Sequence, residues 1–309
     1  MKRAWQNLAH RGMIISEIHL LPLKIDNYKQ MKQQFITLII IVFVGLSGWA
    51  QPEKQVVYKQ IDTTSLKLDI YFPDNYVAGN AHPAIVFFFG GGWNGGDVNQ
   101  FVHQAKYFAK RGMVCFLADY RVKKRQQTTP YESLKDAKSA IRFIRSHAEE
   151  YHIDKNKIVA SGGSAGGHLA AATALIEEYN EESDDLSKSC IPNALILFNP
   201  VIDNGPGGYG YNKIGDNYKS FSPLHNITKG APPTVIFLGT KDHLIPVETV
   251  KYYKIVMEKV GSRCELFLYE GEGHGFFNFS KKENYKKTLS EADKFLISLG
   301  YLKDNSSIK

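Results

Sequence analysis

The chain has 309 residues, of which 43% are hydrophobic and 22% are charged, close to the averages for soluble globular proteins. This composition excludes a fibrous protein, a disordered chain and a multi-span membrane protein. The formal charge of +7 falls to +3 for residues 51–309, which hold 32 basic and 29 acidic residues. Because those charges are dispersed, no nucleic-acid-binding surface is predicted.

Residues 31–50 have the layout of a secretory signal peptide, with a basic residue, an apolar stretch and small residues near the end. The apolar stretch is shorter than the ~20 residues that a membrane-spanning helix needs. We therefore expect cleavage after Ala50, no lasting membrane anchor, and a secreted or periplasmic protein. A complete signal beginning at Met31 predicts that translation starts there and that residues 1–30 are an upstream extension. The remainder, 51–309, is expected to form one domain.

From residue 51 onward the pattern predicts strands that alternate with helices. The runs QVVYKQI and LKLDIYF are typical of an opening β-hairpin. Further strands, several of them continuously apolar, are predicted at 84–89, 113–118, 157–160, 194–198, 234–238 and 265–269. Helices are predicted at 101–111, 131–151, 165–179, 247–260 and 282–299. This alternation indicates an α/β fold with a mostly parallel eight-stranded sheet, helices on both faces, and a small lid or none.

Ligands bind at the carboxyl ends of the strands in such sheets, so the residues that follow each strand are the candidates for chemistry. Between a predicted strand and a helix lies the pattern Gly162-x-Ser164-x-Gly166. Small residues two positions before and after the serine allow a sharp turn that exposes its hydroxyl, and the helix N-terminus adds a positive dipole. Ser164 is the predicted nucleophile; the alternative is an ordinary flexible Gly/Ser turn.

A serine hydroxyl becomes an effective nucleophile only when a base removes its proton. His274 follows the last predicted strand between two glycines, and we predict that it is this base. Asp242 follows the strand at 234–238 and is the predicted acid that orients the histidine. Asp203, which also follows a strand, is the second candidate for the acid. The alternatives are a solvated loop histidine at His274 and a turn residue at Asp242.

A tetrahedral intermediate needs hydrogen-bond donors aimed at its oxyanion. The run FGGGW after the strand at 84–89 allows its backbone to approach a substrate closely. We predict the amides of Gly91, Gly92 and Ala165 as the donors; the alternative is a plain glycine turn. A phosphate-binding loop is excluded because neither a following Lys-Ser/Thr pair nor GxGxxG spacing is present.

The stretch 202–229 is rich in Gly, Asn and Tyr and shows no clear periodicity, which indicates a loop or small lid. Aromatic faces beside amide side chains suit the stacking and hydrogen bonding of sugar rings. Tyr209 and Tyr211, together with Trp93 beside the glycine run, are therefore candidate substrate contacts. The alternative is that these aromatic rings pack the loop onto the domain.

The segments FGGGW, DYR, GGSAGGH, GTKD and GHGF occur in this order over roughly residues 55–300. In these segments the chain resembles the hormone-sensitive-lipase-like and the feruloyl or acetyl-xylan esterase-like branches of the α/β-hydrolase superfamily. The resemblance implies that fold, the serine–aspartate–histidine triad and the oxyanion amides on the residues named above, and scaffold roles for Asp119 and Arg121. The sequence departs from the family at Phe89, where a histidine usually braces the oxyanion loop.

The sequence thus predicts a secreted serine esterase that forms an acyl-enzyme on Ser164 and needs no metal or organic cofactor. The three cysteines are not spaced to hold zinc. Small-molecule or oligosaccharide esters with short acyl groups, above all acetyl, are the expected substrates, because no apolar insertion suits a long chain. Two other hypotheses are a prolyl-oligopeptidase-like peptidase, for which residues 51–309 leave no room for a propeller, and a non-catalytic binding protein on a hydrolase scaffold.

Overall fold

A computed structural model describes residues 53–304 except Asn75 and Ala78. The predicted extension 1–30, the signal peptide 31–50 and its cleavage after Ala50 lie outside the described residues, and they stay predictions.

The described strands form one sheet in which most neighbours run parallel. They are β1 (Lys54–Ile61), β2 (Thr64–Tyr71), β3 (His82–Phe88), β4 (Val114–Ala118), β5 (Ile153–Gly163), β6 (Ala194–Phe198), β7 (Thr234–Gly239) and β8 (Cys264–Tyr269). The sheet order is β1-β2-β4-β3-β5-β6-β7-β8, in which the pairs β1–β2 and β2–β4 are antiparallel and the remaining pairs are parallel. Every residue of β4, β6 and β7 is buried, as expected for strands covered on both faces. The predicted α/β fold is confirmed.

The longer helices lie on the two faces of the sheet. They are α1 (Val102–Lys110), α2 (Pro130–Ser146), α3 (Ala165–Leu175), α4 (Val247–Lys259) and α5 (Lys282–Ser298). Apolar residues of α1 and α5 pack in one core cluster, and those of α2, α3 and α4 pack in the other. The helix α2 begins at a capping box formed by Thr129 and Glu132, which satisfies the first free amides of the helix.

The helix after the predicted nucleophile is shorter than the sequence indicated. The predicted helix extended to residue 179, whereas α3 ends at Leu175 because Ile176 takes an extended conformation. The buried ammonium group of Lys138 accounts for this end, since it donates to the carbonyl oxygens of Ile176, Glu177 and Glu178. These carbonyls lie just beyond the last residue of the helix, and the Glu177 carbonyl also accepts a hydrogen bond from the Asn180 side chain at 2.7 Å.

The DYR segment belongs to the scaffold. The guanidinium of Arg121 binds both carboxylate oxygens of Asp136 at 2.8 Å, and Lys59 binds the same carboxylate at 2.7 Å. Glu181 pairs with both cations at 2.8–3.0 Å. Because Asp136 is fully buried, each of these charges needs its partners, and the cluster fixes β1 and the loop after β4 against α2.

The segment between β6 and β7 that contains residues 202–229, here called the cap segment, forms short helical turns. It is fastened to α3 by His168, whose Nε2 lies 2.9 Å from the carbonyl oxygen of Phe221. The imidazole is fully buried, stacks on the Phe221 ring with centroids 4.5 Å apart, and meets the Trp93 ring edge-on. The cap segment therefore forms a small lid over α3. Its attachment point, His168, lies one helical turn after Ser164.

We predict that His168 makes the folded protein sensitive to acid. Burial lowers the pKa of His168 from the ordinary 6.5 to about 4. The unfolded chain therefore binds the extra proton between these two values, so stability is fully present above pH 6.5 and is lost as the pH falls toward 4. The expected loss is roughly 3 kcal/mol, and it should be absent in His168→Gln, whose amide can still donate to Phe221 but does not titrate. Urea unfolding from pH 8 to pH 4 measures this difference; parallel pH curves for the two proteins would contradict it.

Candidate active site

Ser164 lies at the junction of β5 and α3 with φ 55° and ψ −119°, a conformation that non-glycine residues rarely adopt. The two flanking glycines make this turn possible. A Cβ atom on Gly162 would overlap the carbonyl of Gly166, and one on Gly166 would overlap the carbonyl of Phe88. The serine amide donates to the Phe198 carbonyl at 3.0 Å. The backbone is thus held in place from the neighbouring strand, and the hydroxyl points away from the sheet edge.

His274 lies on the loop after β8 and reaches the serine. Its Nε2 is 2.9 Å from the Ser164 Oγ. The loop is anchored by the buried Phe277, whose ring stacks on Phe101 and Phe198 with centroids 5.7 and 4.7 Å apart. The apolar residues that follow the histidine in the sequence therefore fix the position of the imidazole.

Asp242 lies on the loop after β7, and its Oδ2 is 2.8 Å from the His274 Nδ1. Its Oδ1 accepts hydrogen bonds from the amides of Leu244 and Ile245 at 2.9 and 3.0 Å. Burial raises the pKa of this carboxyl, but the hydrogen bonds that it accepts lower the pKa by more, so the net pKa lies below the ordinary value. A carboxylate of this kind stays ionised and faces the imidazole.

The loops that bear the acid and the base meet through their backbones. The Lys241 amide donates to the Glu272 carbonyl at 2.9 Å, and a Cβ atom on Gly239 would overlap that same carbonyl. Asp203, the other candidate acid, instead accepts a hydrogen bond from the Gly205 amide and contacts His225 at 3.9 Å. The geometry therefore places Asp242, and not Asp203, on His274.

Asn199 is a site residue that the sequence did not single out. It is fully buried with φ 36°, and its Nδ2 is 3.4 Å from the His274 Nε2. Its Oδ1 accepts the Gly275 amide at 3.0 Å. The available signal was its position immediately after β6, since residues that follow strands lie at the active edge of the sheet.

The loop after β3 presents the predicted oxyanion donors. Gly91 and Gly92 both have positive φ, and among the described residues no acceptor binds their amides or that of Ala165. The Gly90 amide, in contrast, is already used, since it donates to the Gln100 Oε1 at 2.6 Å. These contacts leave the three predicted amides free to bind an oxyanion.

Phe89 occupies the position where the resembling families have histidine, and Tyr120 takes over the bracing of the loop. The two rings stack with centroids 4.0 Å apart, and the Tyr120 hydroxyl donates to the Phe89 carbonyl at 2.5 Å. The tyrosine of the DYR segment thus stabilises the start of the oxyanion loop through a ring contact and a hydrogen bond.

The three candidate substrate contacts lie in different environments. Trp93 is only 2% exposed and is enclosed by cap residues, so the structure does not support the predicted contact between its ring and a sugar. The Tyr211 hydroxyl donates to Asp216 within the cap segment. Tyr209 lies at the oxyanion loop, because a Cβ atom on Gly92 would overlap its hydroxyl. Trp93 and Tyr209 therefore pack against each other at the oxyanion loop, whereas Tyr211 is hydrogen-bonded within the cap segment.

Residues 53–304 contain no group of three or more His, Cys, Asp or Glu side chains that could hold a metal ion. The three cysteines are buried and unpaired. In the same part of the chain, the helices are too short or too polar to cross a membrane.

Comparisons with known proteins indicate the family of this chain. A family model described as BD-FAE matches residues 68–205, and one described as the dienelactone hydrolase family matches residues 207–299. The chain is 46% identical to Thermogutta terrifontis esterase 2 phosphorylated by paraoxon, with a TM-score of 0.78 over 82% of this chain and 96% of that chain. The propionate-bound form gives 45% identity and a TM-score of 0.79, over 82% and 97% of the two chains.

Curated relatives are more distant. The acetylxylan esterase of Xylanibacter ruminicola is 26% identical over 253 residues, which are 76% of this chain and 49% of that protein. A probable isoprenylcysteine alpha-carbonyl methylesterase of Arabidopsis thaliana is 26% identical over 270 residues, 78% and 55% of the two. The chain spans about half the length of the curated relatives it matches.

We predict that Asp242→Asn lowers the turnover of p-nitrophenyl acetate about 10³- to 10⁴-fold, because the amide cannot hold the imidazole in the reactive tautomer or stabilise its cation. Asp203→Asn is the matched control and should retain near-wild-type turnover, since this carboxylate does not contact His274. Steady-state kinetics at equal folded concentration measure both. If the two variants rank the other way round, the acid has been misplaced.

Proposed function

Since this chain belongs to the esterase branch of the α/β-hydrolase superfamily, we propose that it hydrolyses carboxylic esters through an acyl-enzyme on Ser164. The observation that supports this most is the continuous hydrogen-bonded series from the Ser164 Oγ through His274 to Asp242, with distances of 2.9 and 2.8 Å. All three groups are present and aligned, which disfavours a binding protein that has lost its chemistry.

The geometry supports a two-step reaction. The His274 Nε2 takes the Ser164 proton while Oγ attacks the ester carbonyl, and the amides of the oxyanion loop and of Ala165 bind the negative oxygen. The Asp242 carboxylate, ionised because of its lowered pKa, stabilises the imidazolium. That imidazolium then protonates the departing alkoxide. A water molecule, deprotonated by the same imidazole, attacks the acyl-enzyme; the imidazolium then returns this proton to the Ser164 Oγ as the acyl–Oγ bond breaks and the acid is released.

The proposed acyl group is short. Cap residues close over the oxyanion loop, where the Lys213 ammonium donates to the Gly92 carbonyl at 2.7 Å beside the Tyr209 hydroxyl. Such a polar cover does not suit a long alkyl chain. Propionate- and butyrate-bound structures of Thermogutta terrifontis esterase 2 support this size, and the relative named acetylxylan esterase supports acetyl.

The proposed alcohol is a carbohydrate or another polar alcohol. With Trp93 buried, the Tyr209 ring and hydroxyl become the main candidate contact, and Lys213 adds a second donor for a sugar oxygen. The proposal includes export to the periplasm or medium, where such polymers occur. It is supported by the signal-like sequence at 31–50.

We predict that Ser164→Ala removes turnover, by on the order of 10⁴- to 10⁶-fold, while the fold persists, because only the nucleophilic oxygen is lost. A fluorophosphonate should label the wild-type protein and leave the variant unlabelled, with circular dichroism as the control for folding. Wild-type-like hydrolysis by the variant, or an unlabelled wild type, would overturn the assignment.

We predict that kcat/KM falls from p-nitrophenyl acetate through butyrate to octanoate, and that acetate is released from acetylated xylan oligosaccharides. Ser164→Ala provides the background rate for every substrate. Tyr209→Phe, which removes only the hydroxyl, should weaken the reaction with the glycan more than that with p-nitrophenyl acetate. A maximum at octanoate with no acetate released from the glycan would contradict both parts of the substrate proposal.

A further inference from the structure

A series of side-chain hydrogen bonds connects the oxyanion loop to the loop of the catalytic histidine. The Gly90 amide donates to the Gln100 Oε1 at 2.6 Å, and the Gln100 Nε2 donates to the Asn278 Oδ1 at 3.1 Å. The Asn278 Nδ2 then donates to the Gly275 carbonyl at 2.8 Å. One end of the series is therefore next to Gly91, and the other end is next to His274.

The backbone partners determine the direction of this series. The amide of Gly90 can only donate and the carbonyl of Gly275 can only accept, so the orientations of both side-chain amides follow without ambiguity. Each side chain uses its oxygen toward the oxyanion loop and its nitrogen toward the histidine loop. Neither a carboxylate nor an apolar side chain can satisfy both neighbours.

Both residues lie on firmly packed backbone. Gln100 belongs to the 3₁₀ turn Val98–Phe101, which the Asp97 carboxylate caps, and the next residue, Phe101, stacks on the Phe277 anchor. Asn278 closes a turn in which its own backbone amide also donates to the Gly275 carbonyl at 3.2 Å. The Gly275 amide is held from the opposite side by Asn199. The series therefore joins two well-anchored segments.

We propose that Gln100 and Asn278 are positioning residues that hold the oxyanion donors and the general base at one fixed separation. The inference rests on the proposed function, because it concerns the same ester hydrolysis. The oxyanion and the imidazolium form together in the transition state, so donors and base must be in place at the same moment. A displacement of about 1 Å between such groups can cost about 10²-fold in rate.

The test is a double-mutant cycle with Gln100→Met and Asn278→Leu, side chains of similar size that cannot form the series. Each single variant should lower kcat for p-nitrophenyl acetate about 10- to 100-fold with little change in KM, because the oxyanion exists only in the transition state. The kcat of the double variant should be only slightly lower than that of the less active single variant, since one broken hydrogen bond already uncouples the two loops. Values of kcat are expressed per active site titrated with a fluorophosphonate, so that unfolded protein does not lower them.

A second measurement separates positioning from general stability. The inhibition constant of a trifluoromethyl ketone, which forms an oxyanion on the serine, should rise in proportion to the loss of kcat/KM in each variant. Asn193→Leu is the matched control: the Asn193 side chain accepts a hydrogen bond from the Ile158 amide at 3.0 Å in the middle of β5, and its loss should leave kcat unchanged.

The outcomes are distinct. Wild-type kcat in both single variants, or losses that multiply fully in the double variant, would overturn the positioning role while the wild type still hydrolyses esters. Loss of activity in Asn193→Leu equal to that in the other variants would also overturn it, because any amide in the fold would then have the same effect. A wild type with no ester hydrolysis at all, in contrast, would overturn the proposed function itself.

Discussion

The active site, at the carboxyl ends of the strands, depends on the backbone of Ser164, which is held at positive φ between a buried strand and a buried helix. Such a conformation costs on the order of 1–3 kcal/mol and persists only where the surroundings leave no alternative. Here the surroundings are backbone carbonyls that lie so close to Gly162 and Gly166 that no side chain fits. The same close packing brings the end of β3, and with it the oxyanion loop, next to the serine. Nucleophile and predicted donors are therefore positioned by one packing constraint.

A second constraint is the pairing of two buried carboxylates, one at the site and one away from it. The Asp242 side chain has no exposed surface, yet it stays ionised because two backbone amides and the imidazole donate to it. Away from the site, Asp136 is equally buried and is matched by Lys59 and Arg121. These arrangements fix loops that would otherwise be free to move, because an uncompensated buried charge is strongly unfavourable.

The cap segment is fastened to the rest of the domain at two points. His168 fastens it to the nucleophile helix, and Lys213 fastens it to the oxyanion loop. Among its aromatic residues, the buried Phe221 packs the cap segment against the domain, whereas Tyr209 lies at the oxyanion loop. The cap segment therefore supplies both the carbonyl that His168 of α3 binds and the polar side chains beside the oxyanion loop.

The sequence by itself determined the alternation of strands and helices, the sharp turn at Ser164, and the two loops that supply the base and the acid. These features are local, since burial of a strand, glycine at a tight turn and the position after a strand are each visible within a few residues. Only the tertiary structure showed that Asp242, the acid that the sequence favoured over Asp203, contacts His274. It also enclosed Trp93 beneath the cap, ended α3 early at the carbonyls that Lys138 binds, and brought Gln100 to Asn278 across 178 residues of chain. Such contacts depend on which loops meet at the edge of the sheet, and the distance between two side chains in space does not follow from their separation in the sequence.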